Sequence, residues 1–288
     1  MPRADILSFE EMARLITIFA ELGIERVRIT GGEPTLRRDL VDLVGLLSKL
    51  GLKEISLTTN GLKLPELAAP LAKAGLTRVN VSLDSLQPDR FSKLTRGAPL
   101  AKVLAGIQAA WDAGLSPVKI NAVLLRGEND DEVEDLVRFF EKEPHRTHLR
   151  FIEYMPFETR WHKSVPAAEL RQRIGAIRTM KPVKRDGKGG PAEEFELTES
   201  GLRVGFISPL SERFCGSCNR LRLMANGHLR TCLSDDGTPS LRDLIRGGSS
   251  DQELTSIIKT MVEGKRESHG CTMEGGKLFE GIMTRVGG

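Results

Sequence analysis

The chain has 288 residues, 40% of them hydrophobic and 28% charged, with a formal net charge of +3. That is the make-up of a globular protein with one large domain or a domain plus an appendage, and it excludes a disordered, collagenous or multi-span membrane chain. The near balance of charge gives no reason to expect nucleic acid or any other polyanion as a general partner, so an anion site must be local; no apolar run approaches the roughly 18 residues of a membrane span.

The chain opens without the basic-plus-apolar order of a signal peptide. Ser8-x-x-Glu11 is a capping box, and Met12, Leu15, Ile16 and Phe19 recur at helical spacing until Gly23, which predicts a first helix. RVRITGG (26–32) reads as a short strand with a glycine stop. Leu36, Leu40, Leu43, Val44 and Leu47 predict a second helix closed by Gly51. The beat continues as EISLTTNG, a helix across 64–74, RVNVSLD, a helix across 100–113, PVKINAVLL, a helix across 130–141, and HLRFIEYM. Five strands alternating with helices imply βαβ units and a parallel sheet.

The beat fades after about residue 155. KPVKRDGKGGPAEE (181–194) predicts a mobile loop, FELTESGLRVGFISP a hairpin, and DLIRGGSSDQELTSIIKTMVEGKR a helix. The expectation is therefore an α/β chain: a partial barrel over 1–157, opening on a helix where a strand is usual, then a smaller cysteine-bearing domain over 158–288.

Ligands of α/β folds bind at the carboxyl ends of the strands. Those ends carry Thr30-Gly31-Gly32-Glu33-Pro34, Thr58-Thr59-Asn60-Gly61, then Asn80, Ser82, Asp84 and Ser85, then Lys119 and Asn121, then Arg150, Glu153 and Met155. Lys119 and Asn121 sit inside an apolar run, which favours a small-molecule site over ordinary loop polarity. Gly31 and Gly32 fit either a tight turn or a backbone left bare for a ligand that also meets Glu33.

Of four cysteines, three fall within eighteen residues, as Cys215-x-x-Cys218 plus thirteen residues and Cys232. That crowding favours metal ligation in a reducing compartment, hence the cytoplasm, over a disulfide scaffold. A structural zinc would need a fourth ligand, with His228, His269 and Cys271 as candidates. A [4Fe–4S] cluster on three thiolates would leave one iron open to a substrate atom. Arg220 and Arg222 alternate with Leu221 and Leu223, which predicts both guanidinium groups on one face of a strand starting just after Cys218. They form either a solvated basic face or, with Arg230, a clamp for phosphate or a purine carbonyl.

RITGGEP, LTTNG, RVNVSLD, PVKINAVLLRG, RFIEYMPF and FCGSCNRLRL-x-x-x-G-x-L-x-x-CL, with Gly287-Gly288 at the end, together resemble the GTP 3′,8-cyclase family of radical S-adenosylmethionine (SAM) enzymes. The resemblance spans the whole chain; GGEP alone points only to the superfamily, whereas CGSCNRLRL and the Gly-Gly end are more specific. It implies a partial (βα)6 TIM-type barrel and a C-terminal iron–sulfur domain. It also implies one [4Fe–4S] cluster that cleaves SAM and a second that binds the guanine of GTP. The product would be 3′,8-cyclo-7,8-dihydro-GTP, the first intermediate of molybdenum-cofactor synthesis. By motif, SAM contacts fall at Gly32, Ser82 and Met155. GTP contacts fall at Arg28, Thr58, Lys119, Arg220, Leu221 and Arg222, and the second cluster falls on Cys215, Cys218 and Cys232. Arg28, Gly287 and Gly288 would take part in the radical chemistry. The implied partners are an electron donor and the synthase that makes cyclic pyranopterin monophosphate; a homodimer is also expected.

The sequence departs from the family in one respect. The first cluster of the family sits on CxxxCxxC, and here Cys215 is the first cysteine of the chain. Met1-Pro2 matches the residues that commonly follow that motif, so the chain is expected to begin just after it, with its first strand missing, and to be unable to form the radical as given. The competing expectation is a non-catalytic module that holds GTP with an iron–sulfur cluster or zinc. A peptide-modifying radical enzyme with auxiliary clusters would need more than four cysteines.

Overall fold

The computed structural model describes residues 3–155, 161–184, 190–235 and 239–268. The Gly287-Gly288 end, His269 and Cys271 lie outside the described residues, as do residues 185–189 of the expected mobile loop.

The first half follows the apolar spacing closely. Helix α1 (Phe9–Glu21) has its capping box formed in both directions, Ser8 Oγ accepting from Glu11 N and Glu11 accepting from Ser8 N. Strand β1 (Arg26–Ile29) and helix α2 (Leu40–Leu47) come next. This helix is shorter than the spacing suggests, because Pro34–Leu36 and Ser48–Leu50 are 3-10 turns on either side. Then come β2 (Glu54–Thr59), α3 (Leu64–Ala74), β3 (Arg78–Ser82), a short α4 (Pro88–Thr95), α5 (Leu100–Asp112), β4 (Val118–Val123), α6 (Val133–Phe140) and β5 (Thr147–Ile152). Helices α3 and α5 approach so closely that a Cβ on Gly106 would stand 2.4 Å from the carbonyl oxygen of Gly61. Only glycine fits there.

Past residue 155 the chain is more regular than its composition suggests. Helix α7 (Ala167–Gly175) precedes β6 (Met180–Pro182), β7 (Glu193–Leu197) and β8 (Arg203–Ile207). Strands β7 and β8 form the expected hairpin. All eight strands join one sheet in the order β1-β2-β3-β4-β5-β8-β7-β6. The first six in that order run parallel, and β7 and β6 are antiparallel additions at one side. This is a mostly parallel α/β sheet of partial TIM-type form. The main core crosses the expected 157/158 boundary, since Val165, Leu170, Ile174, Val204 and Phe206 belong to the same buried cluster as Leu57, Val81 and Ile120. Among the described residues no helix is long and apolar enough to cross a membrane.

A miniature hairpin, β9 (Arg222–Leu223) and β10 (Leu229–Arg230), carries the cysteine segment. The single helix expected after it is two, α8 (Leu241–Arg246) and α9 (Asp251–Glu263). Gly247 and Gly248 end the first, Gly248 at a φ of 90°, and a Ser250/Glu253 capping box starts the second.

A second buried cluster joins Leu7, Leu15, Ile18 and Phe19 to Leu229, Leu241, Leu254 and Ile258. Polar contacts bracket it: Leu7 N donates to Ala225 O at 2.8 Å, Arg246 Nε to Glu11 at 2.7 Å, and Arg14 to Asp251 at 2.7 Å. Helix α1 is thus the floor on which the cysteine hairpin rests. Leu254 is fully buried; Leu254→Ala is expected to cost about 3 kcal/mol in urea unfolding. A loss below about 1 kcal/mol would mean that this cluster is not a packed core.

Candidate functional site

Side chains alternate along a strand, so the apolar face of the sheet fixes what its other face must carry. Ile55, Leu57, Val79, Val81, Ile120, Ala122, Leu149 and Phe151 pack under the helices. The alternate positions put Arg28 on β1, Thr58 on β2, Arg78 and Asn80 on β3, Lys119 and Asn121 on β4, and His148 and Arg150 on β5. Strand register aligns these as rows: Thr58 lies opposite Asn80, Asn80 opposite Lys119, and Lys119 opposite His148. One step towards the carboxyl ends, Ser82 lies opposite Asn121 and Asn121 opposite Arg150.

The electrostatics of this face are unbalanced. Lys119 is pushed down to about 7, first by burial and then by Arg150 and Arg78, with Glu194 opposing. Arg150 falls to about 10 through burial, against the pull of Glu194, with Arg28 and Arg78 adding to the fall. Arg28 is lowered by burial, then by Arg78, with Glu54 opposing; Arg220 lowers it further. Burial, then Lys119, takes His148 down to about 4, so it is neutral near pH 7. Arg28, Arg78, Lys119 and Arg150 therefore share one face of the sheet, with Glu54 paired to Arg78 and Glu194 3.5 Å from Arg150; the register adds Arg26, Arg203 and Glu196 to the same face.

Several polar atoms here have no protein partner although they are buried: Asn80 Oδ1, Asn121 Oδ1, Arg78 Nε and Arg150 Nε. Such groups ordinarily find partners, so their orphaning on one face marks a place where a ligand or water completes the bonding. Thr58 Oγ1 already accepts from Asn80 Nδ2 at 3.0 Å. Arg150 is one of the polar strand-end residues expected at a small-molecule site, whereas Arg78 is not among them. The signal for Arg78 was in the sequence, since it alternates with Asn80 and Ser82.

At the carboxyl ends the expected residues divide by role. A Cβ on Gly31 or Gly32 would meet nothing within 4 Å, and neither glycine has a positive φ. Their bare backbone therefore answers neither a packing nor a turn requirement. Glu33, by contrast, is occupied within the protein. Its Oε1 accepts from Thr35 N, Thr35 Oγ1 and Thr59 Oγ1, and its Oε2 accepts from Asn60 N at 2.7 Å. It fastens the glycine loop to the end of β2 instead of meeting a ligand.

Ser82 ends β3 and is exposed; Met155, half-buried, follows β5. Asp84 accepts from Val123 N at 2.8 Å and is raised to about 6 by burial.

The cysteine segment lies beside this face, close enough for Arg220 to lower Arg28. Cys215–Ser217 form a 3-10 turn closed by Cys218 N to Cys215 O at 3.0 Å. The strand expected just after Cys218 starts only at Arg222. Lys265 Nζ donates to the carbonyls of Cys218 and Arg220, at 2.7 and 3.1 Å, where a ladder would otherwise bind. Arg220 instead stacks 4.9 Å over the Phe214 ring. Leu221 packs half-buried against the second core.

Cys215, Cys218 and Cys232 carry no disulfide. Burial opposes ionisation of Cys218, but hydrogen bonds and charge from Arg220, with Lys265, bring its thiol below the ordinary range. Burial, then Arg220, lowers Arg222, while Cys218 and Cys232 both favour its charge. Among the described residues no three His, Cys, Asp or Glu converge closely enough to hold a metal ion. A cavity of about 410 Å3 opens beside the turn, lined in part by Glu193, Phe206, Ser208, Glu212, Arg213 and Phe214.

Comparison with known proteins shows the family and the fold. The Radical SAM superfamily model matches residues 1–140, and the Molybdenum Cofactor Synthesis C model matches residues 147–271. The GTP 3′,8-cyclase of Moorella thermoacetica is 45% identical over 99% of this chain and 88% of that protein. Molybdenum cofactor biosynthesis protein 1 of Bos taurus is 40% identical over 93% of this chain and 43% of that protein. Among solved structures, Streptococcus suis SuiB bound to S-adenosylmethionine shares the fold, with a TM-score of 0.58 at 16% identity over 87% of this chain and 61% of that one.

Proposed function

The chain belongs to the GTP 3′,8-cyclase family, radical SAM enzymes of molybdenum-cofactor synthesis, and from that premise we propose that its concave sheet face binds the triphosphate of GTP. The observation that carries this is the repulsion acting on Arg28, Lys119 and Arg150, with Arg78 contributing at all three, which Glu54 and Glu194 only partly offset. GTP carries about four negative charges near neutrality and relieves that repulsion. Asn80 Oδ1 and Asn121 Oδ1 are acceptors left for its hydroxyl or amino groups. Arg220, near Arg28, and Arg222 extend the positive surface towards the cysteines, where the base belongs.

Cys215, Cys218 and Cys232 suit a [4Fe–4S] cluster as donors: three unpaired thiols, one already biased to its thiolate, with cations around them. Such a cluster, when bound, offers one iron without a protein ligand to a purine heteroatom. Gly32, Ser82 and Met155, at the ends of β1, β3 and β5, are the proposed SAM contacts; the open backbone at Gly32 supports this reading.

All four cysteines stand at 215 or beyond, so the barrel strands offer no thiolate beside SAM. The residues here therefore bind and orient GTP and SAM, and radical formation is not assigned to them. The cytoplasmic electron donor and the cyclic pyranopterin monophosphate synthase belong to the same proposal, as do a homodimer and a division of labour between residues 1–157 and 158–288.

Anaerobic reconstitution with iron and sulfide tests the reading. Roughly four irons per chain are expected, with GTP binding by calorimetry that weakens in Cys215→Ala. Stoichiometric zinc without iron–sulfur absorbance would remove the cluster from the site, and GTP affinity unchanged in Cys215→Ala would remove its role in binding.

A further inference from the structure

Lys265 leaves the end of a firmly held helix. Leu254 and Ile258 bury α9 in the second core, and Arg14 ties its start by bonding Asp251 and the Ser249 carbonyl. At its other end Gly264 N still donates to Thr260 O, and Lys265 N donates to Val262 O at 3.1 Å. From there the ammonium reaches across to the cysteine turn. It donates to Cys218 O at 2.7 Å and to Arg220 O at 3.1 Å, and stands 3.7 Å from Cys218 Sγ. An ammonium has three donors, and all three find an acceptor on this short stretch.

We propose that Lys265 is a positioning residue for the cysteine turn: it fixes the Cys218 sulfur by holding the carbonyls on both sides of Asn219, and it places a positive charge beside that sulfur. The inference rests on the reading of Cys215, Cys218 and Cys232 as cluster ligands. Between Cys218 and β9 the backbone has no strand partner, so without Lys265 these two carbonyls lose their acceptor role and the turn loses its tie to α9. An arginine would not serve equally, because its planar fork cannot point three donors at acceptors spread around one centre. Outer contacts of this kind orient metal ligands, and hydrogen bonds and net charge at the sulfurs set the potential of an iron–sulfur group.

The experiment compares the reconstituted full chain with its Lys265→Met and Lys265→Gln variants, following iron retained against a chelator, reduction potential and thermal melting. Lys265→Met keeps the apolar stem but removes charge and donors. It is expected to retain iron roughly tenfold less well and to shift the potential to more negative values, with little change in melting. Lys265→Gln, which keeps amide donors without the charge, should recover part of the retention and none of the potential. Retention and potential both unchanged in Lys265→Met would overturn the positioning role and leave the cluster reading standing. A wild-type chain that takes up no iron–sulfur group would overturn the cluster reading itself, and this inference with it.

Discussion

Replacing Lys119 by methionine is expected to weaken GTP binding roughly 30- to 100-fold, the loss of one well-desolvated contact to a charged group. Methionine preserves most of the volume, so the core beneath β4 stays filled. Calorimetry at fixed ionic strength measures it, because a screened surface lysine would give a far smaller loss. Lys119 is 8% exposed, and no hydrogen-bond acceptor for its ammonium is found among the described residues. A loss below about threefold would place the phosphates elsewhere.

The same residue sets a pH signature whose sign follows from its surroundings. In the free protein Lys119 titrates near 7, because burial and the neighbouring Arg150 and Arg78 disfavour its charge. A polyphosphate beside it favours the charge and raises that value. Binding above pH 7 therefore takes up a proton, and affinity falls as pH rises from about 7.5 to 9. The terminal phosphate has already ionised in that window, its last proton leaving near pH 6 to 7. Lys119→Met should flatten the slope.

Stability runs the other way. The unfolded chain keeps its lysine protonated up to about 10.4, so between pH 7 and that value it binds more protons than the fold does. The penalty is complete below pH 7 and is relieved as pH rises. The free protein should gain on the order of 2 kcal/mol between pH 7 and 9 from this group, a gain absent in Lys119→Met.

The residues that build this face were visible in the sequence for a physical reason. The two-residue period of a strand separates Lys119 and Asn121 from Ile120 and Ala122, and the glycine stops and capping residues mark where each strand and helix ends. The same period puts Arg78 on the face of Asn80 and Ser82. Other features depend on contacts far apart in sequence. Glu33 looks like a ligand contact until Thr59 and Asn60, 26 and 27 residues later, are seen to use its carboxylate. The short length of β9 reflects Lys265, more than forty positions away. The second core draws on residues 7–19 and 229–258, and each half alone reads as an ordinary amphipathic segment. Helix α7 is not legible in the sequence, because Pro166 before it and charged residues within it dilute the apolar spacing.

Glu153 links the barrel to the cysteine segment, and Glu153→Ala is expected to cost about 2–3 kcal/mol, since the buried Leu210 amide loses its acceptor at about 1–3 kcal/mol and the partly buried Ser211 amide adds less. Its carboxyl stands one residue past β5, 3% exposed. Its Oε2 accepts from Leu210 N and Ser211 N, both at 3.0 Å, while its own N donates to Ile207 O. These bonds fold the chain leaving β8 back over the end of β5, four residues before Cys215. Arg171 secures the far side of the same loop through Glu212. Loss of Glu153 frees the near side only, so the amides of Leu210 and Ser211 should exchange with solvent at least about tenfold faster, whereas those of β3 and β4 keep their protection. GTP binding should weaken with it, because the Cys215 turn and Arg220 follow directly on that loop. Glu153→Gln retains one carbonyl acceptor and should lose less than half as much stability. Unfolding in urea with hydrogen exchange read at single residues decides the matter: unchanged exchange at Leu210 and Ser211 in Glu153→Ala would show that the loop holds its course without this carboxyl group.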